Sequence, residues 1–270
     1  MNTEKDTHKS PRIVYSCYDK KNREGEHFVD EWIFTCQITG SLILNDSNKE
    51  YISNEGMILL VGRNQLLKFI KQPPENGEFR ALSLYLNQKV LKDFSLEYGI
   101  TAEQKPCDKS VLEIEDSNLF KHYFDSLLSY HQANGFNNQQ LVDLKLKEGI
   151  LLLLQTNPDL KNMLFDFTEP HKIDLEAFMN KNYHFNVHLE RFAYLTGRSL
   201  ATFKRDFEKI FNTTPGRWLQ QKRLQQAYYL LSKKGKTASD IYLDLGFEDL
   251  SHFSFAFKKA FGHAPSKIIR

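Results

Sequence analysis

At 270 residues the chain is longer than one hydrophobic core usually serves, so two domains, or one large domain with an appendage, are expected. With 41% hydrophobic and 26% charged residues, 13 Gly and 8 Pro, the composition excludes a disordered, collagen-like or disulfide-dense chain. The formal net charge of +2, from 36 Lys and Arg against 34 Asp and Glu, points by itself to no polyanionic partner.

Cys17, Cys36 and Cys107 are odd in number and form no CxxC pair, which indicates neither a disulfide framework nor a cysteine zinc site and fits a reducing cytoplasm. The opening MNTEKDTHKSPR is polar, without an apolar stretch of signal-peptide kind. The longest aliphatic runs, Met57 to Val61 and Ile150 to Leu154, are about a quarter of a membrane span. The expectation is a cytoplasmic chain, neither exported nor embedded, with no membrane partner.

Between Phe28 and Leu86, short runs rich in β-branched and aromatic residues (WIFTCQI, SLILN, MILLV and RALSLYL) are parted by turn clusters at 39–40, 45–48, 54–56 and 73–77. This spacing predicts short strands in a sandwich or small barrel. From Asn118 the period becomes helical. Leu119, Tyr123, Leu127 and Leu128, then Leu141, Leu144, Ile150, Leu151 and Leu154, predict a helical hairpin broken over 133–138 and stopped at Asn157-Pro158. Residues 159–173, with Pro170 near the end, read as a link, and 174–270 as a helical domain. The fold class expected is α+β: an antiparallel β domain with a helical hairpin over 1–158, then an all-α domain.

Divided at residue 173, the charge is 20 Lys and Arg against 25 Asp and Glu before the boundary and 16 against 9 after it, a net of −5 and +7. A basic helical domain joined to an acidic, strand-rich one is the footprint of a nucleic-acid reader with a separate sensing or pairing domain, although charge alone fits a solvated basic face equally well.

The basic domain contains an internal repeat. TFKRDFEKIFNTTP (202–215) matches HFSFAFKKAFGHAP (252–265) at an offset of 50, pairing Phe203 with Phe253, Phe207 with Phe257, Phe211 with Phe261 and Pro215 with Pro265. The rings recur at i, i+4, i+8, along one side of a helix, where they are most simply core. Upstream, LERFAYLTGRS pairs with SDIYLDLGFED at an offset of 49, Gly197 opposite Gly246. A glycine there suits a chain leaving a helix in a left-handed conformation, and Ser199 and Asp249 suit the caps of the helices that follow. Helix, glycine turn and capped helix make a helix-turn-helix, and it occurs twice. Between the copies, Pro215 to Ser232, with Thr214 as cap, carries an apolar stripe of Trp218, Leu219, Leu224, Ala227, Leu230 and Leu231, and Thr237 with Asp240 reads as a capping box.

With FAYLTGRSLATFKRDFEKIFNTTPGRWL, KRLQQAYYLL and IYLDLGFEDLSHFSFAFKKAFGHAPSKIIR in place, residues 174–270 resemble the DNA-binding domain of AraC/XylS-type transcriptional regulators over its whole length. The resemblance implies a sequence-specific regulator of double-stranded promoter DNA, with both second helices in the major groove about one helical turn apart. Its base-reading positions fall on Ala201, Lys204 and Arg205 in the first helix and on Leu250, Ser251, His252, Ser254 and Phe255 in the second. Arg205 suits bridging O6 and N7 of guanine, with a phosphate contact as the alternative. Phe255 stands where the family commonly has arginine; it offers apolar contact, for instance to a thymine methyl, or packs against the domain. Tyr242 replaces a usual small residue, from which a shift in how the second unit packs is expected. Ser199, Lys209, Arg217, Lys222, Arg223, Lys258 and Lys259 are candidates for phosphate contact, the alternative being solvated charge.

The resemblance further implies a cupin-like first domain that senses an effector, pairs with a second copy, or both, and a regulator that works with RNA polymerase. Leu141, Leu144 and Leu151 are candidate residues of a dimer seam, with burial inside one chain as the alternative. GMILLVGRNQLLKF, with Arg63 and Asn64 at positions for polar ligand contacts, resembles regulators of type III secretion that answer to an anti-activator protein; a small-molecule effector is the other reading. A cupin-like metabolite-binding protein or metal-dependent enzyme is the competing class. No His-x-His strand occurs, and His27 lacks a matching partner between 28 and 121. His184 and His188, at i, i+4 with Asn186 between them as a cap, read as surface residues. No metal, cofactor or catalytic residue is expected.

Overall fold

A computed structural model describes residues 12–104, 109–115 and 117–268, together with the backbone, but not the side chains, of 22–27. The polar stretch before Arg12, Cys107 and the side chain of His27 therefore lie outside the described residues. The chain forms two compact units. One runs to Thr168; the other starts at Glu169 and also takes in the strand segments Glu24–Phe28 and Leu66–Lys68.

In the first unit the strands are β1 (Arg12–Tyr18), β2 (Asn22–Val29), β3 (Trp32–Thr39), β4 (Ser41–Asn45), β5 (Glu50–Ser53), β6 (Ile58–Val61), β7 (Gln65–Gln72) and β8 (Phe79–Leu86). Helix α1 (Gln88–Tyr98) and strand β9 (Val111–Ile114) follow, then α2 (Asn118–Gln132), α3 (Gln139–Thr156) and the single turn α4 (Lys161–Leu164). Five strands pair in the order β1-β8-β3-β6-β9 and four in the order β2-β7-β4-β5. In the larger sheet the antiparallel registers set Ile13, Leu84, Phe34, Leu60 and Leu112 side by side in one row across all five strands. Alternation then sends Leu82, Leu84 and Leu86 of β8 to the same face, where Phe34 meets Phe120, Tyr123 and Phe124 of α2. Gly149 of α3 lies under the Tyr123 ring, whose hydroxyl donates to the Lys145 carbonyl; a Cβ on Gly149 would come within 2.6 Å of that hydroxyl oxygen.

The predicted hairpin is thus present, and so are the four predicted strands, with β1, β2, β5, β7, β9 and α1 added to them. The link is shorter than expected. Leu160, Met163, Leu164 and Phe165 are buried in the first core, and Asn162 accepts from the Glu103 and Gln104 N–H groups at 2.9 and 3.0 Å, so 159–165 belongs to the first unit.

The second unit contains α5 (Leu175–Asn182), α6 (Leu189–Leu195), α7 (Leu200–Phe211), α8 (Pro215–Lys233), α9 (Ala238–Ile241) and α10 (Leu250–Phe261). It has two cores. Met179, Phe185, Phe192, Phe203 and Phe207 surround Trp218 and Leu219 of α8. Further along the same helix, Leu224, Ala227 and Leu231 meet Ile241, Leu245, Phe247, Phe253 and Phe257. The Phe stripes therefore fill the cores, and α8, 19 residues long, is shared between them.

Candidate nucleic-acid interface

The first turn is built around Gly197, whose φ of +63° is costly for any residue with a Cβ. Space excludes a Cβ as well, since it would lie 2.3 Å from the His171 carbonyl carbon. Before it, the buried Thr196 hydroxyl donates to the Phe192 and Ala193 carbonyls, and after it the Ser199 hydroxyl accepts from the Thr202 N–H at 3.2 Å, capping α7 as expected. Arg198 locks the arrangement. Its side chain is nearly buried; Nη1 donates to the carbonyls of Thr196 (2.7 Å) and Ile173 (3.0 Å), while Nε donates to Asp206 Oδ2 (3.2 Å) on α7. The Arg198 guanidinium, aided by Lys172 and Arg205, holds the Asp206 carboxyl below its usual range. The signal for this pair in the sequence is the opposite charge of Arg198 and Asp206 on either side of the Ser199 cap.

The second turn repeats this chemistry with different parts. Helix α9 is a single turn in which the Thr237 N–H donates to Asp240 Oδ2 at 2.8 Å. The chain then turns through Tyr242, half-buried against the second core, to Gly246 at φ +79°. Asp249 caps α10, its Oδ1 accepting from the His252 N–H at 2.6 Å.

Arg223, expected at a phosphate, has a different place. From α8 its Nε donates to the Tyr183 carbonyl, Nη2 to Phe185 and Nη1 to Gly246, all at 2.8–2.9 Å. All three guanidinium nitrogens are engaged with backbone inside the domain, so Arg223 clamps the turn after α5 to the second helix-turn-helix. Gly246 leaves room for it: a Cβ there would sit 2.7 Å from the His184 carbonyl oxygen and 2.9 Å from the Arg223 guanidinium carbon.

The outward faces carry the expected reading positions. On α7, Ala201, Lys204, Arg205 and Lys209 are exposed opposite Phe203 and Phe207, and Arg205 retains 65% of its side-chain exposure despite a 3.8 Å approach to Asp206. On α10, Leu250, Ser251, His252, Phe255, Lys258 and Lys259 are exposed and Ser254 is half-buried. Of the remaining phosphate candidates Arg217 is exposed, and the Lys222 ammonium lies 5.3 Å from the centre of the Trp218 ring.

His184 and His188 do not share a helix, because α6 begins at Leu189 and His188 is its cap residue. Asn186 is not a cap but donates to Glu248 Oε1. His188 is exposed, whereas His184 is half-buried, and burial together with the Lys68 and Arg223 charges lowers its pKa to about 4. Among the described residues no group of three or more His, Cys, Asp or Glu side chains could hold a metal ion.

In the first unit, Leu144 and Leu151 of α3 are exposed, seven residues and so two helical turns apart, while Leu141 is half-buried. Arg63, expected at a ligand position, instead donates through Nη2 to the Asp166 (2.6 Å) and Thr168 (3.1 Å) carbonyls, and Asn64 sits in the left-handed region at φ +57°.

Residues 192–270 match the helix-turn-helix domain family, and residues 33–167, half of the chain, match the ExsA N-terminal regulatory domain. The chain is 32% identical to the thermoregulatory protein LcrF of Yersinia pestis over 243 residues, covering 85% of itself and 86% of that protein. The chain belongs to the AraC family of transcriptional regulators. Within the family it is also 25% identical to the HTH-type transcriptional regulator ExsA of Pseudomonas aeruginosa, over 85% of this chain and 83% of ExsA. The crystal structure of an apo single-substitution variant of ToxT from Vibrio cholerae aligns over 97% of this chain and 98% of its own at a TM-score of 0.47 and 15% identity. As an AraC-family member the chain is a DNA-binding regulator acting on promoter DNA, with an N-terminal regulatory domain; the cupin-like enzyme reading is not favoured. Among the described residues no helix is long and apolar enough to cross a membrane.

Proposed function

We propose that this regulator presents α7 and α10 to consecutive major grooves on one face of promoter DNA, about one helical turn apart. Arg205 reads guanine through O6 and N7, Lys204 and Ala201 lie beside it, and Lys209, Arg217, Lys222, Lys258 and Lys259 meet phosphates. The observation that carries this reading is the outward face of α7. Arg205 is well exposed on a helix whose opposite side is fixed in the core by Phe203 and Phe207 and whose start is pinned by Ser199, Arg198 and Asp206. A donor on a helix whose backbone is already fixed suits base recognition, because only the side chain, and not the element that carries it, has to be ordered on binding.

The regulatory domain controls activity through an effector, either a small molecule or an anti-activator protein, and the exposed Leu144 and Leu151 face of α3 pairs with a second copy. The protein works in the cytoplasm, performs no catalysis, and activates transcription together with RNA polymerase; its relative VirF of Yersinia enterocolitica is a virulence regulon transcriptional activator. Selection by the full chain from a random-sequence duplex pool tests the DNA reading. Enrichment of two contact blocks about one turn apart is expected, and no enrichment, or a single block, overturns it. A saturable thermal shift with a metabolite would identify a small-molecule effector.

A further inference from the structure

The fixed offset of 50 that aligns the two helix-turn-helix copies sets Phe255 in the position of Arg205, Ser251 in that of Ala201 and Lys259 in that of Lys209. Phe255 is 69% exposed, close to the side-chain exposure of Arg205, and so does not pack against the domain. Its place on α10 is central. Phe253, Ala256 and Phe257 define the buried side of the helix, and at 100° per residue the opposite row runs Ser251, Phe255, Lys258. An aromatic ring therefore stands in the middle of the outward face, with Ser251 one turn before it and the exposed Lys258 and Lys259 one turn after it.

We infer that the two copies read different base chemistry: α7 a guanine through the Arg205 guanidinium, and α10 a thymine through contact between the Phe255 ring and the C5-methyl group. The inference rests on the reading of α10 as a major-groove helix given above. A phenyl ring has no hydrogen-bond donor or acceptor for a base edge, and the feature of the major groove that rewards an apolar side chain is the thymine methyl. The lysines at the end of the row supply charge complementary to the phosphates flanking that groove. The duplicated fold would then specify a chemically asymmetric operator, with one block fixed by hydrogen bonds and the other by apolar contact.

The test uses the full chain and the operator it selects, synthesised with thymine or with deoxyuridine at single positions; deoxyuridine removes the methyl and leaves base pairing unchanged. One position in the α10 block is expected to lose about fourfold in affinity on removal of its methyl, as for the burial of one methylene-sized group. Phe255→Ala should bind the thymine operator more weakly and be indifferent to the exchange, and Phe255→Arg should shift the selected base at that position to guanine. A selected operator without thymine in that block overturns the inference, as does one bound equally well with deoxyuridine by the unmodified chain, even though in either case the operator itself upholds the DNA reading. Failure to select any operator overturns both.

Discussion

Replacement of Arg223 by methionine separates a clamp from a phosphate contact. The side chain makes three charged hydrogen bonds to the Tyr183, Phe185 and Gly246 carbonyls. Each bond of this kind contributes about 1.5–3 kcal/mol, but the three share one half-buried side chain and water can take part of the place it leaves, so a total loss of about 2–4 kcal/mol is expected. For a domain of about one hundred residues, where 1 kcal/mol moves the Tm by about 4–8 °C, the second unit should melt on the order of 10–20 °C lower. Thermal unfolding of the full chain followed by calorimetry reads this shift, with the transition of the first unit as an internal control. Operator affinity measured well below the new Tm should keep its salt slope, since no phosphate contact has been removed. If Arg223→Met left the Tm within a degree or two while the salt slope fell by about 1, the clamp would be refuted and the arginine would be a phosphate ligand.

Arg205→Ala is expected to relax the preference at one base position and to cost about 1–3 kcal/mol of operator affinity; uniform weakening across sequences, measured by competition gel shift, would make Arg205 a phosphate contact instead. If Lys209, Arg217, Lys222, Lys258 and Lys259 all engage, affinity should drop about 300- to 1,000-fold between 50 and 200 mM salt, and a flat titration would remove this face from the interface. The pKa of His184, lowered from 6.5 to about 4 in the folded chain, makes the unfolded state bind the extra proton first. Its contribution to stability is complete above about pH 6.5 and fades as the pH falls toward 4. The Tm of the native chain should fall more steeply over that window than the Tm of His184→Gln, and parallel curves would contradict the assignment.

The legible parts of the molecule were those where one local rule left one answer. Gly197, Ser199, Gly246 and Asp249 announce their turns and caps because positive φ and helix starts each admit few residue types. The Phe stripes and the apolar row of α8 were legible for the same reason, and both fill the cores. Helix α1 was not, because Leu91 and Phe94 are its only buried residues while Leu96 is 83% exposed, so its stripe is too thin to set a period. Residues 159–165 read as a link because the turn at Asn157-Pro158 hides how Leu160, Met163 and Leu164 return to the first core. In the site, the arginines were the difficulty. In a domain of net charge +7, Arg198, Arg205 and Arg223 look alike as sequence, and only tertiary structure tells which face carbonyls and which face solvent.

The division of α8 between two cores has a consequence for cooperativity. Trp218 and Leu219 belong to the first hydrophobic cluster and Leu224, Ala227 and Leu231 to the second, yet all five ride on one continuous ladder of helical hydrogen bonds. Fraying that ladder at either end withdraws side chains from a core, so the two helix-turn-helix copies should open and close together, as one cooperative unit in amide exchange. A substitution that loosens Phe253 would then weaken the guanine contact proposed for Arg205 without touching α7, and defects in α10 would surface as a loss of occupancy at the whole operator.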